Sequence, residues 1–202
     1  MNAIRRSIFL LWLPTWLAIT AQGQMYQGRQ LVHADALANV SAIVPGEPFL
    51  VGVRLRMEPH WHTYWKYPGD AGIPTDIKWQ VPEGWRVGDI QWPIPLRLEE
   101  PGDILIYGYH DEILLIQQVT PPKNLTNASA NLSAKVSWLV CEKICIPGDG
   151  TVNLSLPIAA ANSPANTDLF ARFQRQLPTA PAADSSASWK SSQSISASRL
   201  IT

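Results

Sequence analysis

The 202-residue chain has very few of the residues that build metal centres or bind polyanions. It contains only two cysteines, Cys141 and Cys145, and four histidines. A structural zinc site needs about four such ligands, so two thiols with scattered histidines fit one poorly. Charged residues make up 16% of the chain, and sixteen basic side chains are balanced by sixteen acidic ones. Because no basic surplus attracts phosphates, the composition excludes a typical nucleic-acid-binding protein.

Long apolar runs are also missing beyond the first 23 residues, where no segment approaches the ~20 apolar residues of a membrane span. Residues 1–23 place two arginines before an apolar stretch from Ile8 to Ile19, followed by small residues at Ala21 and Gly23. This arrangement is typical of a secretory signal peptide. We therefore expect a mature chain that begins near Gln24 and folds outside the cytoplasm.

The chain is rich in tryptophan and proline, with nine and seventeen residues respectively. This composition favours short strands, aromatic packing and many turns over long helices. Strand-like segments recur at intervals of roughly ten residues with Gly and Pro turn signals between them, which predicts an all-β fold, an antiparallel sandwich. The segments are 36–44, 49–57, 61–66, 75–81, 85–92, 113–120, 132–140 and 151–156.

One segment has a helical apolar repeat. Leu169, Phe173 and Leu177 recur every four residues, which predicts a short helix that packs on the sandwich or leads out of it. Residues 178–202 are dominated by Ser, Ala and Pro and indicate a linker or disordered tail. The predicted organisation is a signal peptide (1–23), a β-sandwich domain (24–160), a short helical region (161–177) and a low-complexity tail (178–202). Such a tail leads us to expect that the chain is part of a longer membrane protein.

The close spacing of the cysteines bears on their role. In an oxidising compartment two cysteines in one chain are expected to pair. A five-residue ring constrains the unfolded chain by about 2 kcal/mol, against nearly 5 for a ring of about a hundred residues. Short rings also tend to be strained, which makes the bond easier to reduce. The spacing favours a redox couple at a strand end, between Val140 and Ile146, while a structural clip on a hairpin end stays open.

Four segments together resemble the periplasmic amino-terminal domain of DsbD-type thiol:disulfide interchange proteins, especially the ScsB branch associated with suppression of copper sensitivity. They are EPHWHTYWKYPGDAGIPTDIKWQVPEGW, IQWPIPLR, IYGYHDEILLI and WLVCEKICIPGDG, within a likeness that runs from about Leu37 to Leu156. The resemblance implies an immunoglobulin-like sandwich and a thiol:disulfide oxidoreductase with no organic cofactor. Its implied partners are a membrane-embedded electron-donor domain and periplasmic thioredoxin-like proteins or disulfide isomerases.

The resemblance also implies roles for individual residues. Cys141 and Cys145 are the redox couple, and Cys145 forms the mixed disulfide with a client. A cap that shields the cysteines corresponds to Ile104–Tyr109, where Ile106 replaces an aromatic residue and the flanking acids of the best-known branch are absent. The remaining candidates are Ile106, Tyr107 and Tyr109 in the cap and His62, Tyr64 and Trp65 in a surrounding shell.

Two other functions stay open at this point. His60 and His62 would project from one face of a strand and, with the thiol pair, supply ligands that suit copper. Alternatively, the sandwich is a passive binding module in which the cysteines only hold a turn.

Overall fold

The structure, a computed structural model, describes residues 25–179. The predicted signal peptide and nearly all of the predicted tail lie outside this range. Within it, the elements are β1 (Met25–Tyr26), β2 (Arg29–Gln30), β3 (Val32–Ala38), β4 (Phe49–Met57), β5 (His62–Gly69), β6 (Asp76–Gln80), β7 (Arg86–Val87), β8 (Leu96–Glu100), β9 (Ile104–His110), β10 (Glu112–Thr120), β11 (Ser129–Cys141), β12 (Cys145–Pro157) and α1 (Thr167–Gln174).

Two antiparallel sheets form the body of the domain. The first has the strand order β3-β4-β10-β7. The second has the order β12-β11-β5-β9-β8, and β6 also pairs with β11. β1 and β2 form a small separate hairpin. The predicted all-β antiparallel architecture is therefore confirmed.

The core lies between the sheets because their strands alternate apolar and polar side chains. In β4 the side chains of Val51, Val53 and Leu55 are fully buried. β11 likewise buries every second residue, including Val136 and Trp138. Helix α1 closes the core with Phe170 and Phe173.

Several observed strands differ in their bounds from the predicted ones. The strands expected at 132–140 and 151–156 are longer, as β11 and β12, and two other predicted strands are largely irregular. The strand expected at 36–44 begins earlier and ends at Ala38, after which the chain makes only isolated bridges at Val40 and Ile43. The strand expected at 85–92 is reduced to β7. Its remainder pairs irregularly with β10, through Gly88 N–H donating to the Gln118 carbonyl and Gln91 N–H to the Ile116 carbonyl. Glycine at position 88 weakens regular pairing there.

The predicted helix is present but shorter, and its buried face is different. α1 ends at Gln174, and Pro178 disfavours helical conformation in the residue before it. Its buried residues are Phe170 and Phe173, three apart, whereas the predicted face had a spacing of four. Within residues 25–179, no helix is long and apolar enough to cross a membrane.

Candidate active site at the cysteine hairpin

The two cysteines face each other at the tip of a long hairpin. β11 and β12 pair from Ser129 opposite Pro157 to Cys141 opposite Cys145, so the connecting loop has only residues 142–144. The two sulfur atoms are joined in a disulfide, and the Cα atoms are 4.2 Å apart. The expected pairing at a strand end is therefore present. We call β11, residues 142–144 and β12 the cysteine hairpin.

The two sulfur atoms have different surroundings. Cys141 is 2% exposed, whereas Cys145 is an exposed residue. Of the two cysteines, Cys145 is therefore the more accessible residue, while Cys141 is buried. Attack on Cys145 would expel Cys141 as the leaving thiolate.

Cys141 belongs to a small buried cluster with Tyr64 and Ile106, against which Leu98 and Leu139 pack. We call Cys141, Tyr64 and Ile106 the sulfur cluster. The Tyr64 hydroxyl donates a hydrogen bond to Cys141 Sγ at 2.9 Å, and it lies 3.8 Å from Cys145 Sγ. The Tyr64 hydroxyl thus contacts both sulfur atoms of the bridge.

Strand register and one glycine hold Tyr64 in this place. β11 meets β5 with Cys141 opposite His62, and Tyr64 lies two residues further along β5 on the same face. Gly72 has φ +109° and lies directly on the tyrosine ring, because a Cβ at this position would be 2.2 Å from two ring carbons. Only glycine combines this backbone conformation with so close an approach.

The polar contacts continue from Tyr64 to the strands beside it. His62 Nε2 lies 3.3 Å from the Tyr64 hydroxyl and 3.9 Å from Glu100 Oε1. The His110 ring stands edge-on to the His62 ring with centroids 5.5 Å apart, and His110 Nδ1 lies 3.1 Å from the Trp61 carbonyl oxygen. Glu100, at the end of β8, was not among the predicted site residues.

Burial shifts the pKa values of His62 and Tyr64. It lowers the pKa of His62 to about 4, and the neighbouring His110 adds to the effect. Burial also raises the pKa of Tyr64, with a further contribution from the Glu100 carboxylate. Both side chains are therefore uncharged at neutral pH.

The cap segment predicted at 104–109 is a regular strand, β9, paired with β8 on one side and β5 on the other. Ile106 is fully buried and belongs to the sulfur cluster, so a shielding role toward Cys141 stays a prediction. Tyr107 points to the opposite sheet face and stacks edge-on with Trp65 at 6.2 Å. Tyr109 donates to the Pro93 carbonyl at 2.8 Å and belongs to the main core.

The expectation that His60 and His62 share a strand face is wrong. β5 begins at His62, and His60 lies in the preceding turn with φ +73°, exposed to solvent. The alternation rule therefore does not apply to the pair. Residues 25–179 contain no group of three or more His, Cys, Asp or Glu side chains placed to hold a metal ion.

Comparison with known proteins adds four findings. The family model described as "Thiol:disulfide interchange protein DsbD, N-terminal" matches residues 28–157. The N-terminal periplasmic domain of ScsB from Proteus mirabilis is similar, with a TM-score of 0.53 and 18% identity, over 79% of this chain and 60% of that one. The chain thus spans less than two thirds of that domain.

The reduced DsbD N-terminal domain of Neisseria meningitidis aligns with a TM-score of 0.33 and 15% identity, over 66% of this chain and 90% of that one. No curated protein matches the chain.

Proposed function

Because the chain belongs to the family of DsbD amino-terminal domains, we propose that it relays electrons in the periplasm, from a membrane-embedded dithiol donor to soluble thioredoxin-like proteins or disulfide isomerases. The family supports a thiol–disulfide exchange domain, and the required cysteine pair is present. The two antiparallel sheets confirm the immunoglobulin-like sandwich that the resemblance implied.

The observation that carries the proposal is the asymmetry of the bridge. An exposed Cys145 offers a sulfur for attack, and a buried Cys141 in contact with a hydroxyl offers a supported leaving group. As a stabilising crosslink the bridge adds little, because a ring of this size contributes only about 2 kcal/mol. It also joins two strands that are already paired along thirteen residues each. Exchange explains this arrangement better than stabilisation does.

The relay needs two half-reactions. In the first, a donor thiolate attacks Cys145 Sγ, the Cys141–Cys145 bond breaks, and the donor's second thiolate releases Cys145, which leaves the donor oxidised and the domain as a dithiol. In the second, the Cys145 thiolate attacks a client disulfide and one client sulfur departs. Cys141 then attacks Cys145 Sγ, which re-forms the bridge and frees the client dithiol.

Single-cysteine variants test this order. Reduced Cys141→Ala, mixed with an oxidised thioredoxin-like client, is expected to accumulate a covalent complex because no second thiol resolves the mixed disulfide. Cys145→Ala is expected to form no complex and to leave the client oxidised. The complex is measured by non-reducing electrophoresis and mass spectrometry.

A trapped complex in Cys145→Ala instead would reverse the assigned order. Client reduction by both variants would show that the couple is not the exchange centre.

A further inference from the structure

Two buried polar side chains, His62 and Tyr64, form a chain of contacts that ends at the Cys141 sulfur of the bridge. His62 and Tyr64 are 2% and 3% exposed, and Cys141 is 2% exposed. The gaps are 3.3 Å from His62 Nε2 to the Tyr64 hydroxyl and 2.9 Å from that hydroxyl to Cys141 Sγ. Burying an imidazole and a phenol costs free energy unless both are hydrogen-bonded. Here the two hydrogen bonds direct the hydroxyl hydrogen of Tyr64 toward the sulfur atom of Cys141.

The hydrogen positions follow from the chemistry of the groups. A disulfide sulfur carries no hydrogen, so the Tyr64 O–H must donate to Cys141. A phenol has a single hydrogen, and therefore its oxygen accepts from His62, which must carry hydrogen on Nε2. His62 is thus a neutral ring that acts as a donor toward Tyr64.

The groups that face His62 come from every strand around it. They are Tyr64 on its own strand, Cys141 on β11, His110 on β9 and Glu100 at the end of β8. The Glu100 carboxylate is 3.9 Å from Nε2, beyond hydrogen-bond distance, so Tyr64 is the partner of that nitrogen. Burial and His110 keep the pKa of His62 at about 4, which maintains the neutral donor form at pH 7.

We propose that Tyr64 is a catalytic hydrogen-bond donor to the Cys141 thiolate formed when the bridge opens, and that His62 is a positioning residue that holds the hydroxyl proton on that sulfur. This inference rests on the proposed function, since it assigns roles within the same exchange reaction. The proposed roles require neither Asp103 nor Asp111, the two carboxylates closest in sequence to the cap segment 104–109.

The role belongs to the bond-breaking step. When a donor thiolate attacks Cys145 Sγ, a new sulfur–sulfur bond forms there and the electron pair of the old bond leaves on Cys141 Sγ. The hydroxyl that donated to a neutral sulfur now donates to an anion, and hydrogen bonds to charged acceptors are about twice as strong. A thiol with a lower pKa also leaves faster. The hydroxyl therefore stabilises the product of this step more than its reactant.

The test uses the full chain with its native bridge and dithiothreitol as the reductant. Tyr64→Phe keeps the ring and removes only the hydroxyl. It is expected to slow reduction of the bridge roughly tenfold, the effect of losing about one hydrogen bond to a charged group. Tyr67→Phe is the matched control, because Tyr67 lies on the same strand but is 66% exposed. It is expected to react at the wild-type rate.

A second readout separates this role from simple packing. In the Cys145→Ala background the only thiol is Cys141, and its pKa is measured from thiolate absorbance against pH. Tyr64→Phe and His62→Leu are both expected to raise that pKa. His62→Gln retains an N–H donor near the Nε2 position and is expected to restore a value close to wild type.

Unchanged reduction rate and unchanged Cys141 pKa in Tyr64→Phe would overturn the inference and leave the proposed function standing, because the bridge would still exchange. A wild-type bridge that resists dithiothreitol would instead contradict the proposed function. If His62→Leu fails to fold, the Tyr64→Phe result alone decides the role of the hydroxyl, and His62→Gln decides that of the donor.

Discussion

At the scale of single residues, the site depends on a histidine that stays uncharged. His62 is buried where an imidazolium would lose most of its hydration, and the adjacent His110 further disfavours a second positive charge. Its pKa in the folded protein is about 4, against 6.5 for an ordinary histidine. Between these values the unfolded chain binds more protons than the folded one, so stability falls as the pH drops through this window.

We expect protonation of His62 in the unfolded chain to lower the unfolding free energy of the domain by roughly 3 kcal/mol between pH 7 and pH 4. His62→Gln keeps a hydrogen-bond donor but cannot titrate. The decrease in its unfolding free energy between pH 7 and pH 4 should therefore be smaller than that of wild type by this amount. Denaturant unfolding at both pH values measures the difference. The exposed His60→Gln is the control and should behave like wild type. Identical pH dependence in wild type and His62→Gln would refute the assignment.

The residues of the site differ in how far the sequence could predict them. The cysteine pair was readable from spacing, and Tyr64 and Ile106 from the family resemblance. Glu100 and Gly72 were not, because their roles come from partners far away in the chain. Glu100 lies 38 positions from His62, and the contact depends on the alignment of β5, β9 and β8, which shifts between Tyr64 and Gly69. An alternating pattern does not determine such a register.

At the scale of elements, the segment predicted to cap the cysteines is a strand inside a sheet. Ile106 lies on β9, and its neighbours β8 and β5 hold it by backbone hydrogen bonds. Asp70 adds to this attachment, since its carboxylate accepts the Leu105 N–H at 2.9 Å. Pairing on both sides of β9 therefore holds Ile106 in the cluster that contains Cys141, although the register with β5 shifts at this point.

Removing that side chain is expected to expose Cys141. Ile106→Ala should speed alkylation of reduced Cys141 by iodoacetamide, measured by mass spectrometry in the Cys145→Ala background. It should also lower the unfolding free energy by about 2 to 4 kcal/mol, as for other fully buried aliphatic residues. Ile104→Ala, on the same strand but 37% exposed, is the control and should change neither quantity appreciably. Equal alkylation rates in Ile106→Ala and wild type would show that Ile106 does not shield the thiol.

The elements themselves were predicted well where one face is buried. β4 was predicted to the residue, because Val51, Val53 and Leu55 alternate with polar or small residues. The β8–β9 hairpin was missed as a pair of strands, although Leu96, Leu98 and Ile106 alternate around Pro101-Gly102. The apolar pattern is weak there, because Leu96 and Ile104 are exposed.

At the scale of the whole molecule, the sulfur cluster is separate from the main hydrophobic core. The core unites both sheets and α1, whereas Tyr64, Ile106 and Cys141 form their own group at the end of the cysteine hairpin. In this arrangement Cys145 is an exposed residue, and the sulfur of the buried Cys141 accepts a hydrogen bond from the Tyr64 hydroxyl.

The reduction potential of the bridge tests this account most directly. Equilibration of the full chain with buffers of defined glutathione or dithiothreitol ratio, followed by thiol trapping, gives the value. The account predicts a potential above about −300 mV, in the range of disulfides that exchange with protein partners. A potential well below about −300 mV would identify an inert structural bond and would contradict the claim that Cys141 and Cys145 are an exchange centre.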